Sequence, residues 1–132
     1  MIDRNKMLNT YLVANVAPIL ITGLNIDDVP NAEIIESNCD NSLLIGHYEN
    51  EKFITPSWLT NVESKKNETP NILIIKELDK ITKDEQLKFI ELLKYRKAGV
   101  FELPKNCVIL LTAKIVNSEV INEEIYSLVA HI

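Results

Sequence analysis

Three runs of consecutive apolar residues constrain this chain most: PILITG at 18–23, NILII at 71–75 and CVILLT at 107–112. A strand that is apolar at nearly every position has no face to offer water, so it must be covered on both sides. Parallel sheets meet that condition, because each crossover needs a dozen or more residues and its helix covers a face. Glu33 to Glu36 (EIIE) and a weaker Phe53-Ile54 add further strand candidates. The fold class expected is α/β, with a mostly parallel sheet of about four to five strands flanked by helices in three layers.

Between the second and third runs lies the clearest helix signal. Thr82 with Glu85 three residues on forms a capping box. Leu87, Phe89, Ile90, Leu92 and Leu93 make a broad apolar face, and Gly99 is the expected stop. Helical spacing recurs in residues 118–132, with Ser118 as N-cap and Ile121, Ile125, Leu128, Val129 and Ile132 on one side. Residues 3–14 carry a third stripe at Met7, Leu8, Tyr11 and Leu12, closed by Pro18. The polar loop SKKNETP at 64–70 is the expected flexible tip.

At 132 residues, 46% hydrophobic and 25% charged, the chain is the size and composition of one globular domain. Its net charge of −5 disfavours a polyanion partner, which basic side chains must neutralise. Cys39 and Cys107 lie far apart without metal-ligand spacing, and His47 and His131 are isolated. The expectation is therefore no metal site, with both thiols buried and kept reduced. No apolar run reaches the roughly 18–20 residues a membrane helix needs, and the charged N-terminus does not read as a signal peptide. A cytoplasmic protein is expected.

With these elements placed, residues 43–116 resemble the middle of an AAA+ ATPase core, in the branch with MoxR-like proteins that carry an insert in the second helix. LLIGHY at 43–48, followed by FITPSWL, is similar to a glycine-aromatic segment of that family. NILIIKELDKI stands where the family has its Walker B strand. QLKFIELLKYRKAGVFELPKN matches the following helix and hairpin approach, and CVILLTAKIV the sensor strand, which in the family ends in Thr-Ala-Asn.

The resemblance also implies which parts of the hydrolytic apparatus are missing. After PILITG comes LNIDDVPNAEII, with no Gly-Lys-Ser/Thr to wrap phosphates, and with Asp27 and Asp28 near where phosphate charge would rest. Only 11 residues separate Ile21 from Glu33, so the helix after a phosphate loop is expected to shrink to a turn. Lys76 takes the Walker B aspartate position, and an ammonium cannot coordinate magnesium. Glu77 keeps the position of the water-polarising base, now vestigial. Lys114 replaces the sensor asparagine, Leu128 stands at the arginine-finger position, and no sequence remains for the lid.

The expectation is a degenerate, truncated AAA+-like domain without catalytic residues, cofactor or metal. It would act by binding protein, on a complete AAA+ ATPase or a replication-type complex, or on further copies of itself. Interaction candidates are Asp27, Asp28, Lys76, Glu77 and Lys114 at the vacated cleft, with Trp58 and Phe101 as apolar anchors; Trp58 equally suits a core. Lys76 pairs with Glu77, Asp79 or the Asp27-Asp28 pair, or faces solvent. The alternatives are a weak or composite ATP-binding subunit and a nucleic-acid-associated accessory factor, the latter disfavoured by charge.

Overall fold

The computed structural model describes residues 17–29, 31–68 and 71–131, so the helix expected over 3–14 lies outside them. In chain order the strands are β1 (Ile19–Thr22), β2 (Glu33–Glu36), β3 (His47–Glu49), β4 (Lys52–Ile54), β5 (Asn71–Lys76), β6 (Lys97–Ala98), β7 (Phe101–Glu102), β8 (Cys107–Ala113) and β9 (Ala130–His131). Five of them form one sheet in the order β2-β5-β8-β1-β9, and every pairing in it is parallel.

The apolar runs at 71–75 and 107–112 become the paired strands β5 and β8, buried at every position from Asn71 to Ile75 and from Cys107 to Ala113. Their side chains alternate between two cores, as the strand period of two demands. Leu73, Ile75, Ile109 and Leu111 join Leu20 and Ile35 on one face, under Trp58, Phe89, Leu92 and Ile125. On the other face Ile72, Ile74, Val108 and Leu110 pack with Ile19 and Ile21, and Leu24, Ile26 and Val29 lean against them.

The capping box forms as expected: the Thr82 side chain accepts from the Glu85 amide at 3.2 Å, and Glu85 accepts from the Thr82 amide at 3.1 Å. Hydrogen bonding of the exposed Glu85 carboxyl to the Thr82 amide, and secondarily to the Thr82 hydroxyl, holds it below its ordinary pKa. The helix that follows bends through a 3-10 turn at Leu87–Phe89 and ends at Tyr95. It does not run to Gly99. Arg96 takes the left-handed cap at φ 57°, and its guanidinium bonds the carbonyls of Pro104 and Cys107 at 3.0 and 2.7 Å, which offsets the backbone cost. Gly99, at φ 64°, turns the small β6–β7 hairpin instead.

Two further expectations are corrected. Phe53-Ile54 belongs not to the main sheet but to the antiparallel β3–β4 hairpin. The C-terminal helix spans Glu123–Leu128 rather than 118–132, because Asn122, not Ser118, caps it by accepting from the amides of Glu124 and Ile125. Beyond it the chain becomes β9, drawn into extended form by the open edge of β1, where Ala130 donates to Pro18 O at 2.8 Å. The loop after residue 64 is also tied down, since Asn106 Nδ2 bonds the carbonyls of Lys65 and Glu68 at 3.1 and 2.6 Å.

Gln86 joins these parts. Fully buried, its Nε2 lies 3.3, 3.2 and 2.8 Å from the carbonyls of Leu78, Ile81 and Val120, and its Oε1 accepts from the Asn122 amide at 2.8 Å. Replacing it with Leu strands several buried backbone groups at about 1–3 kcal/mol each. Gln86→Leu is expected to lower unfolding free energy by about 2–4 kcal/mol in urea denaturation.

Candidate functional site

The chain leaves β1 for the far edge at β2, works back to β8 and then crosses to β9 on the other side of β1. Connections thus diverge between β1 and β8, and in open α/β sheets the crevice beyond the carboxyl ends at such a point is the usual ligand site. A crevice of about 310 Å³ lies there, lined by Gly23 to Ile26 after β1, by Lys76 and Glu77 after β5, and by Thr112 to Lys114 after β8. Lys76, Glu77 and Lys114 therefore line one crevice.

The expected contraction after β1 is present: only a 3-10 turn, Ile26–Asp28, follows, with Asn25 accepting from the Asp27 amide at 3.1 Å. One turn of this kind offers no run of amides comparable to a phosphate loop and its helix. Asp27 is exposed on it and does not line the crevice, and the side chain of Asp28 lies outside what the structure describes. The charge expected from Asp27 within the cleft is therefore not found at its lining.

Lys76 finds a partner that the linear sequence hides. Its ammonium lies 3.7 Å from Glu36 Oε1, the residue beside it in the parallel register of β2 and β5. Both side chains are partly exposed, so the pair contributes little energy, but it places a cation with its own carboxylate at the crevice rim. Neither Asp79 nor Glu77 takes that role. Asp79 Oδ2 instead accepts from the amides of Lys114 and Ile115, both at 3.0 Å, and so fixes the chain leaving β8.

Glu77 is held by its backbone. It stands in the left-handed region at φ 58° and ψ 58°, which costs an L residue about 1–2 kcal/mol. Its amide donates to Thr112 Oγ1 at 2.9 Å, and its carbonyl accepts from the buried Ser37 hydroxyl at 2.6 Å. The carboxylate turns to Lys80, 3.8 Å away. Strained backbone clamped from both neighbouring strands is common where a fold positions a functional group. Ser37 and Glu36 were not singled out from the sequence as site residues; the only available signal was their position at and just past the end of β2, whereas Asp79, expected as a possible partner of Lys76, takes a different role.

Two apolar candidates part company. Trp58 is in the core, 5% exposed, with Nε1 donating to Leu44 O at 3.1 Å. Its indole is thus committed to packing, and the anchor role is corrected. Phe101 is half-buried, with its ring 5.5 Å from Phe53, which in turn meets Tyr48 edge-on at 5.1 Å. The β3–β4 and β6–β7 hairpins thus share an aromatic cluster whose outer member, Tyr48, is 78% exposed.

The cysteines offer no nucleophile. Burial pushes the Cys107 thiol up to about 11, and it also raises Cys39, which is only half-buried rather than fully buried as expected. Among the described residues no three of His, Cys, Asp and Glu are grouped to hold a metal ion, and no helix is long and apolar enough to cross a membrane.

No protein-family model matches the sequence, and no curated protein matches it. Solved structures do match in fold. NtrX from Brucella abortus superposes with a TM-score of 0.59 at 13% identity, covering 96% of this chain and 34% of that one. A provisionally assigned ATPase from Cytophaga hutchinsonii ATCC 33406 gives 0.56 at 15% identity, covering 89% and 40%. The chain thus spans between a third and two fifths of the length of these neighbours. The likeness is one of fold alone: an α/β architecture with a parallel five-stranded sheet flanked by helices, shared with a structure described as an ATPase.

The clamp on Glu77 can be tested directly. Thr112→Val keeps the shape but leaves the Glu77 amide without its acceptor, for an expected loss of about 1–3 kcal/mol in denaturant unfolding. Thr112→Ser retains the hydroxyl and is expected to lose less than half as much.

Proposed function

We propose that this chain is a non-catalytic AAA+-like domain that works by binding protein, docking on or regulating a complete ATPase of related fold. The observation that carries this reading is the Lys76–Glu36 pair at the mouth of β5, with the single 3-10 turn after β1. Magnesium needs oxygen ligands, and Lys76 offers only an ammonium that repels the ion. A triphosphate needs a ring of amides and a lysine at a helix start, and β1 ends in neither. Glu77 then has no metal-bound phosphate to act on, although its backbone remains fixed.

The surfaces left for a partner are the crevice rim, with Lys76, Glu77 and Lys114, and the aromatic hairpin tips, with Tyr48, Phe53 and Phe101. Charge at the first and exposed rings at the second suit a partner subunit better than a small molecule. A composite ATP-binding subunit, completed by another chain, is the second reading, favoured by the crevice at the strand ends and by the retained Glu77.

The two readings differ in what nucleotide does. With millimolar ATP and magnesium the purified chain is expected to keep its melting temperature, and phosphate release is expected to equal that of Glu77→Gln. A ligand at about 100 times its dissociation constant would add about 2.7 kcal/mol of stability, so binding would be plainly visible. Recovery of an ATPase with the tagged full chain from its native cells, weakened by Lys76→Glu with Lys114→Glu, is the expected positive result. A nucleotide-dependent melting shift, or turnover that Glu77→Gln abolishes, overturns the reading.

A further inference from the structure

At the opposite edge of the sheet from β9, β2 pairs only with β5 among the described residues. The N–H and C=O groups of alternate residues of a parallel edge strand point outward, a template for one more strand. Beside this edge runs a groove of about 420 Å³ whose lining includes Glu33, Ile34, Ile35 and Glu36 of β2 together with Leu43 and Trp58. Ile34 is 43% exposed and Leu43 61%, so the apolar surface continues out of the groove.

We propose that β2 takes an extended peptide segment of a protein partner as a sixth strand, and that the segment reads basic-apolar-apolar-basic. The sequence of β2, Glu33-Ile34-Ile35-Glu36, carries a charge at each end and two isoleucines between them. Its pattern is the same read in either direction, so a Lys-apolar-apolar-Lys segment complements it whichever way it runs. Cross-strand pairs of opposite charge and of apolar side chains are the favourable ones, and like charges opposite one another are not. A second copy of this chain pairing through the same strand would set glutamate against glutamate, so the occupant is a basic partner and not another β2. Glu36 already shares its carboxylate with Lys76. Glu33 therefore supplies most of the charge discrimination, while Ile34 and Leu43 supply the apolar contact. Backbone bonds along the edge give affinity, and the side-chain pattern gives selectivity.

This inference goes beyond the proposed function and does not require it, since an active or inactive chain would present the same edge. The test uses the full chain and two capped synthetic peptides, with Lys-Ile-Ile-Lys or Glu-Ile-Ile-Glu at the centre. The basic peptide is expected to bind at least tenfold more tightly by fluorescence anisotropy, and to shift the amide resonances of Glu33 to Glu36. Ile34→Asp and Glu33→Lys, both at the sheet edge, are each expected to weaken it at least tenfold with an unchanged melting temperature. Glu33→Lys is also expected to bring the acidic peptide up towards it. Equal binding of both peptides, shifts centred on β9 or the hairpins, or no binding at millimolar peptide overturns the proposal. So does concentration-dependent dimerisation that Ile34→Asp abolishes, which would assign the edge to a second copy.

Discussion

Everything in this molecule is referred to the pairing of β5 with β8. Both strands are buried on both faces, so neither can leave the sheet without exposing two apolar layers at once. Each fully buried aliphatic side chain contributes about 1.5–3 kcal/mol, and these strands hold nearly all of theirs out of water. Their register also fixes where Glu77 and Lys114 emerge, because both residues follow directly on strand ends that cannot slide. Thr112 of one strand then holds the backbone of Glu77 from the other.

Several charges at the carboxyl end of this sheet meet partners within the chain. Lys76 faces Glu36, Glu77 faces Lys80, and Asp79 is engaged by two backbone amides. The strained φ at Glu77 is clamped between Ser37 and Thr112, so its backbone position is fixed from both neighbouring strands.

The continuous apolar runs announced β1, β5 and β8, and Thr82 with Glu85 announced a helix start. In each case the signal was local: side chains with no polar face, or a cap closing on itself three residues later. The misses have a common cause. Gly99 lost the helix terminus to Arg96 because two distant carbonyls rewarded the strained cap. Ser118 lost to Asn122, whose neighbourhood Gln86 organises from another element. Trp58 was legible as either core or anchor, and only the carbonyl of Leu44 above it decided for the core. The Lys76 partner was hidden because Glu36 is its neighbour only across a parallel pairing.

By itself the sequence determined that this chain builds a parallel sheet covered on both faces, and that a lysine stands at the mouth of β5. Periodicity and side-chain chemistry carry that much, since neither depends on what lies far along the chain. Tertiary structure alone decided which carboxylate meets that lysine, that Asp27 does not line the crevice, and that β2 is an edge among the described residues. These are facts of strand order and register, and residues 40 positions apart become neighbours only when the sheet closes between them.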